Sequence, residues 1–356
     1  MADKYRVGIV GCGSISHLHA RGYLGVDNLQ MVALADPVQA AADAFGEQYG
    51  IEKRYTDFRE MLDRENLDIV SNATWHKLHA PITIAICARQ PKAVLCEKPM
   101  ATSMGECNEM MIAAERNGVK LAIGHQRRFN PAWNEARDLI ADGAIGRVQH
   151  VMTVGRQGLL NDCSHIFDMM RFVMSDANAE WVIGNVERKT DRYERDTRIE
   201  DRSAGIIGFD NGAVGQLLQE LGGEGRQGGT FYGSDGILDL DESRVRLLSG
   251  RTGRWEERRR EGEDASVAQA RELVEWIEGR VEHRGRAENG RAAVEIIMAI
   301  YESARMHEVV TMPVRTQVSP LDVMIDEGAL PVERPGRYDI RAFLLRGEAM
   351  GGKGGG

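Results

Sequence analysis

The residues in this sequence best suited to chemistry begin with a lysine. The run VLCEKPMATS, residues 94–103, ends an apolar strand in Glu97, Lys98 and Pro99. A solvated lysine needs no such mounting. Pro99 fixes its own φ and stiffens the chain beside Lys98. An ammonium held that way can stabilise negative charge growing on a fixed oxygen, and after desolvation it can exchange a proton. A histidine comes next. In SHIFDMMRFVMSD the residues Ile166, Met169, Met170, Val173 and Met174 make an apolar helical stripe, and His165 stands at its head. An imidazole there can accept a proton from a hydroxyl. A glycine-rich turn completes the set: VGIVGCGSIS, residues 7–16, with Gly11, Gly13, Ser14 and Ile15 between a strand and a helix.

That turn has the context of a dinucleotide fingerprint. Gly11 permits the tight turn, and Gly13 lets a pyrophosphate approach the backbone at a helix N-terminus. Ser16 replaces the third glycine and is still small. The second apolar strand ends in Asp36, 25 residues after Gly11, followed by Pro37 and Val38 rather than an arginine. A carboxylate there accepts hydrogen bonds from ribose hydroxyls and repels a 2′-phosphate, so the expected cofactor is NAD rather than NADP. His17 and His19 lie two apart on a helix and point different ways, which argues against a metal site.

Such side chains need a scaffold, and the chain supplies two rhythms. Up to residue 125, nearly continuous apolar strands alternate with helical stretches, the pattern of a parallel sheet covered on both faces. Beyond it, strand-like segments follow one another, broken by a few helices, and GFDNGAVGQ reads as a hairpin turning at Asp210-Asn211-Gly212. The expected fold class is α/β: a Rossmann doubly wound parallel sheet over 1–125, then an α+β domain with a large, open, mostly antiparallel sheet over 126–346, and a flexible tail over 347–356. The run RTGRWEERRREGEDAS is expected as a solvated hairpin or loop, and residues 312–345 as an arm across the molecule or a neighbour. A net charge of −9 argues against nucleic acid or an anionic membrane as the main partner. Five scattered cysteines form no C-x-x-C pair, which fits a reducing compartment. The N-terminus enters a strand almost at once, and no apolar run reaches transmembrane length, so the expected location is the cytoplasm.

The fingerprint, ALADP, EKP, GHQRRFNPAW and NDCSHIFDMMRF together resemble the Gfo/Idh/MocA family, which includes glucose–fructose oxidoreductase-like and inositol dehydrogenase-like enzymes. The resemblance covers nearly the whole chain. It implies NAD-dependent hydride transfer to or from a secondary alcohol of a sugar, sugar derivative or cyclitol. It places Lys98 beside the nicotinamide and the reacting oxygen, often before a cis proline, and makes His165 the catalytic histidine. The family carries an aspartate four residues before that histidine; here the position is Asn161, and Asp162 is one residue off, so either could fill the role. Asp168, one helical turn past His165, could orient it. The resemblance adds Ala73, Thr74, Trp75, His79, Glu97 and Gln126 at the cofactor, and His125, Arg128, Arg156 and Gln157 beside Asn161 and Asp162 at the substrate. A loop that is often long in the family is reduced to Gln157-Gly158, which implies a pocket that is open or is completed by another segment or subunit. Relatives that cleave glycosides by transient oxidation supply an alternative activity, and a silent NAD-binding regulator a third reading. An open sheet face implies a homodimer or homotetramer.

Overall fold

The computed structural model describes residues 4–221 and 226–340. The expected tail, 347–356, lies outside the described residues. In the first third, β1 (Tyr5–Val10), α1 (Ser16–Leu24), β2 (Leu29–Ala35), α2 (Gln39–Tyr49), β3 (Lys53–Tyr55), α3 (Phe58–Arg64), β4 (Ile69–Asn72), α4 (His79–Cys87), β5 (Ala93–Cys96), α5 (Met104–Arg116) and β6 (Lys120–Ile123) alternate. Their six strands form one sheet in the order β3-β2-β1-β4-β5-β6, every pair parallel. β4 and β5 are buried along their whole length, as unbroken apolar runs require when helices cover both faces. The strand order reverses between β1 and β4, where open α/β sheets bind ligands outside their strand C-termini. Ser103 caps α5 by accepting from the Glu106 N–H, while the Glu106 carboxylate reaches back to the Thr102 N–H, so the chain leaves the β5 tip along a fixed path.

The second part runs α6 (Pro131–Ala141), β7 (Val148–Gly155), α7 (Ser164–Val173), β8 (Ala179–Glu187), β9 (Thr190–Glu194), β10 (Thr197–Arg198), β11 (Arg202–Phe209), β12 (Val214–Gln219), β13 (Gly229–Gly233), β14 (Gly236–Leu240), β15 (Val245–Ser249), β16 (Trp255–Arg258), α8 (Ala265–Ile277), α9 (Ala287–Met306), β17 (Val310–Thr311), α10 (Pro320–Asp326) and β18 (Arg334–Asp339). Nine strands make a sheet in the order β16-β15-β14-β13-β7-β12-β11-β8-β17, antiparallel except for the β7–β12 pair. The hairpin at Asp210-Asn211-Gly212 joins β11 to β12, and the arginine-rich run forms the β15–β16 hairpin.

Helix α9 lies between the two sheets and is buried for most of its 20 residues. It meets the first sheet at Ile123, beside Gly290, and the second at β8 and β11. A Cβ on Gly184 or Gly205 would come within 2.7 Å of the Ile300 side chain, so glycines let helix and sheet approach closely. Helix α8 turns back onto the first sheet, where Ala270, Leu273 and Val274 pack with Val7, Ile9 and Tyr23. The segment expected as an arm crosses its own molecule: the Gln317 carbonyl accepts from the Gly105 N–H of α5, and β18 pairs in parallel with β9. A small third sheet, β10-β9-β18, results. Its strands are polar, without the alternation that marks a strand in a sequence.

Candidate active site

At the cofactor end, Gly11 has φ +91°, and a Cβ there would lie 2.7 Å from the Ala73 carbonyl oxygen. Only glycine lets the β1 turn lie against the end of β4. Gly13 is exposed, and nothing lies within 4 Å of where its Cβ would be, so that face of the turn is open. Ser14 is exposed beside it, and Ser16, fully buried, donates from its hydroxyl to the Gly13 carbonyl. Helix α1 has Ile15 at its N-cap, without a side-chain cap and with no acid in its first turn, leaving its positive end to an outside anion. Asp36 accepts from the Cys12 N–H at 2.8 Å and the Val38 N–H at 2.9 Å, one on each carboxylate oxygen. A carboxylate has about four lone-pair positions, so the outer ones can take ribose hydroxyls. These residues fit NAD: an open glycine face for the pyrophosphate and a fixed acceptor for the ribose. Thr74 donates to Asn72 Oδ1 at 2.6 Å, and Trp75 is half-buried on the same edge.

At the other end of that edge, Lys98 follows β5 and its peptide to Pro99 is cis. Its Nζ donates to Asn161 Oδ1 at 3.1 Å and to the Asn161 carbonyl at 3.3 Å. Burial pushes the Lys98 pKa down; Glu97 and Glu194 oppose that, while Arg195 and Arg127 add to it. Glu97 was expected at the cofactor, but its carboxylate is buried and turned inward. It takes His19 Nε2 at 2.9 Å, and His19 Nδ1 meets the Ser71 hydroxyl at 3.0 Å. His79 was expected there too. It is fully buried, with Nδ1 2.7 Å from the Pro99 carbonyl and Nε2 3.1 Å from the Thr74 carbonyl, so it ties two loops together from behind.

His165 is buried at the start of α7, its ring 5.6 Å from that of His125. Burial holds its pKa well below the usual imidazole range, and the positive charges of Arg127 and Lys98 act in the same direction. A neutral imidazole can accept a proton, so the arrangement sets a half-buried cation and a buried base at one site. Asp168 does not orient His165. It faces Arg128, whose Nε lies 2.8 Å and NH2 2.7 Å from its Oδ1, and His125 Nδ1, 3.4 Å away. Arg128, expected at the substrate, is fully buried and also binds Asp176 and the Arg284 carbonyl, so this guanidinium joins the turn before α6 to α7 and to the loop before α9 rather than facing a ligand. Gln126 is half-buried.

The turn before His165 places the two neighbouring candidates differently. Gly158–Cys163 forms a π-helical turn that sends Asn161 toward Lys98, whereas Asp162 points outward to Arg156, 3.6 Å away, a side chain 56% exposed. Gln157 takes a left-handed conformation, φ 59°, and its N–H donates to Glu220. The β9–β10 turn brings Glu194, fully buried, and Arg195 within electrostatic reach of Lys98, and Arg195 NH1 lies 3.4 Å from His76 Nε2. Asp339 of β18 pins this turn by accepting from the Arg195 and Asp196 N–H groups. Glu194, Arg195 and Arg127 were not among the residues expected at the site. The first two lie in the charged run TDRYERDTR, whose only signal is its charge. Among the described residues no group of three or more His, Cys, Asp or Glu side chains could hold a metal.

The chain matches two family models, described as an oxidoreductase family with an NAD-binding Rossmann fold over residues 5–125 and the C-terminal alpha/beta domain of that family over residues 147–312. It is similar to a myo-inositol 2-dehydrogenase of Thermotoga maritima, 26% identical over 68% of this chain and 75% of that protein. It is also similar to an inositol 2-dehydrogenase of Rhizobium meliloti, 32% identical over 48% of this chain and 55% of that protein. The chain thus spans between 55% and 75% of the length of these curated relatives. In fold it is similar to an aldose-aldose oxidoreductase from Caulobacter crescentus solved with glycerol, with a TM-score of 0.77 at 24% identity, over 87% of this chain and 100% of that one.

The Asp168–Arg128 pair generates a stability prediction. The guanidinium holds the Asp168 carboxyl well below the usual range, against the effect of burial. The ionised form therefore contributes stability that is complete above about pH 4, the unfolded carboxyl range, and is lost as pH falls through the depressed folded value. Asp168→Asn leaves the buried guanidinium short of its counter-charge and is expected to cost about 3–5 kcal/mol at pH 7. It should also flatten the decline of stability below about pH 4. Urea titrations at several pH values check both, and unchanged stability at pH 7 would contradict the structural role.

Proposed function

The chain belongs to the oxidoreductase family that joins an NAD-binding Rossmann fold to a C-terminal alpha/beta domain, and from that premise we propose that it oxidises a secondary alcohol of a sugar, sugar derivative or cyclitol. The contact of Lys98 Nζ with Asn161 at the strand C-termini of the parallel sheet carries this reading. The names of the similar dehydrogenases support the substrate class. Bound NAD supplies the hydride acceptor. Lys98 lies where its ammonium can stabilise charge on the carbinol oxygen as the C–H bond breaks. His165, kept neutral by burial, takes the hydroxyl proton on a ring nitrogen. Asn161 holds the Lys98 ammonium with two oxygens and leaves its amide N–H groups for a substrate hydroxyl. Glycoside cleavage by transient oxidation uses the same first step, but the names of the similar proteins do not favour it. A panel of sugars, cyclitols and glycosides with NAD, read as NADH absorbance, tests the proposal; absence of net NADH with every free sugar and cyclitol would refute it.

In assembly we read a homodimer or homotetramer. Across the open face of the nine-stranded sheet, Met152, Gln216, Ile206 and Ile183 stand in one row, and Met152, Ile206 and Ile183 are 43%, 41% and 44% exposed. An apolar row of this kind in the middle of a sheet favours a partner face. The five cysteines, buried and unbridged, suit the reducing cytoplasm, and no described helix is long and apolar enough to cross a membrane.

The site predicts a division of labour. Lys98→Ala should lower kcat by about 10³-fold, with NAD affinity by fluorescence titration unchanged. His165→Ala should lower it by about 10²–10⁴-fold and remove the acidic limb of the pH–rate profile. Asn161→Ala should impair turnover, whereas Asp162→Ala, which breaks only a rim pair of about 0–1 kcal/mol, should be mild. The reverse order would return the role to Asp162. For the cofactor, kcat/KM should be higher with NAD than with NADP, and Asp36→Ala should narrow the ratio. A preference for NADP in the parent enzyme would overturn the role given to Asp36. Light scattering at micromolar concentration should show a dimer or tetramer, and a monomer would exclude the sheet-face assembly.

A further inference from the structure

Glu200 is a fully buried carboxylate to which the chemistry above gives no part. Its Oε1 accepts the Leu159 N–H at 2.7 Å, and its Oε2 accepts the Tyr301 hydroxyl at 2.6 Å. Burial raises its pKa, against the smaller influence of these two donors and of Arg192. Placing a carboxylate there is costly, and a hydroxyl and one amide N–H are modest compensation. An apolar residue would suit the core better if packing were the only demand.

The position of Leu159 supplies the demand. It is the second residue of the π-helical turn Gly158–Cys163, two before Asn161. Ahead of it, Gln157 and Gly158 have φ of 59° and 84°, so the chain enters the turn through two left-handed residues. Beyond it, Ser164 donates from its hydroxyl to the Asn161 carbonyl at 2.8 Å, the same carbonyl that Lys98 reaches. A π-helical turn leaves the regular backbone pattern, and such turns need outside support. The Leu159 N–H finds it in Glu200, which is fixed in turn by Tyr301 on α9, the helix packed between the two sheets.

We propose that Tyr301 and Glu200 are positioning residues: a buried strut that runs from α9 through the Glu200 carboxylate to the Leu159 amide and sets the height at which Asn161 meets Lys98. This rests on the reading that Lys98 and Asn161 act at the substrate. Displacement of a reacting group by about 1 Å can cost about 10²-fold, so a strut two residues from Asn161 has leverage on turnover while touching neither substrate nor cofactor. The close packing of α9, through Ile300 against Gly184 and Gly205, does not pass through the Tyr301 hydroxyl, so loss of that hydroxyl leaves the fold in place.

The test uses Tyr301→Phe, Glu200→Ala and Glu200→Gln in the full chain, with two readouts. One is kcat alongside KM for NAD. The other is amide hydrogen exchange of the peptide spanning 158–163, with α9 as internal reference. Glu200→Ala is expected to lose about 10²-fold in kcat and Tyr301→Phe about tenfold, with KM for NAD unchanged. In both, exchange in 158–163 accelerates and exchange in α9 does not. Glu200→Gln keeps an acceptor for Leu159 and can donate from its amide to Tyr301, so it should rescue most of the turnover and the protection. In the Asn161→Ala background, Glu200→Ala should add little. Parental exchange and parental kcat in Tyr301→Phe would overturn the strut, as would Glu200→Gln failing as badly as Glu200→Ala. If Glu200→Ala does not fold, Tyr301→Phe and Glu200→Gln still decide. Should Asn161→Ala itself keep parental turnover, the reading of the site fails, while the exchange data still judge the strut separately.

Discussion

The Lys98 ammonium lies at the junction of two sheets, partly buried, and its environment constrains the groups around it. Burial weakens its hold on its proton, so each neighbour either restores the charge or erodes it further. A carboxylate in direct contact would pin Lys98 as a plain ion pair and raise its pKa. The structure instead brings two neutral oxygens of Asn161 to Nζ and keeps the carboxylates one step away. Glu97, the adjacent residue, turns inward to His19, and Glu194 acts across the pocket. An ammonium held by neutral acceptors stays able to respond to charge on a substrate oxygen, which is what stabilisation of a developing alkoxide requires.

Buried ionisable groups near the site differ in whether a counter-charge meets them. Asp168, Arg128 and Asp176 form a network beneath α7, with the pKa of Asp168 pushed down and that of Arg128 pushed up by their contact. This network ties the middle of α7 and the turn after it to Arg128. His165, a few residues away on the same helix, lies among positive groups, and burial keeps it neutral. Two ionisable groups on one helix thus behave oppositely. One meets its counter-charge at hydrogen-bond distance, and the other faces like charge.

The site is assembled from sequence-distant pieces whose relative placement depends on packing. Lys98 leaves the parallel sheet by a capped path into α5. Asn161 and His165 arrive from a turn and helix held between the second sheet and α9. The β9–β10 turn is carried in by a strand from the far end of the chain. Helix α9 touches nearly all of these parts. Small residues where it meets the sheets let it approach closely, and close approach fixes distances well enough for a lysine at the end of one sheet and an asparagine from a distant π-helical turn to meet.

The sequence by itself determined the parallel sheet, the glycine turn, the Asp36 acceptor, the mounting of Lys98 and the change to a mostly antiparallel sheet. These rest on local signals: continuous apolar runs, periodic helices, and glycine or proline where the backbone needs it. Tertiary structure decided what such signals do not carry. A π-helical turn, invisible to residue spacing, chose Asn161 over Asp162 at Lys98. Arg128, Glu97 and His79 resembled ligand contacts in one dimension, and Asp168 a partner for His165, but each is satisfied by a partner contributed from elsewhere in the fold. Glu194, Arg195 and Glu200 came from polar stretches with no period to read. A polar contact depends on which distant group lies within about 3 Å, and that is fixed only when sheets and helices have packed.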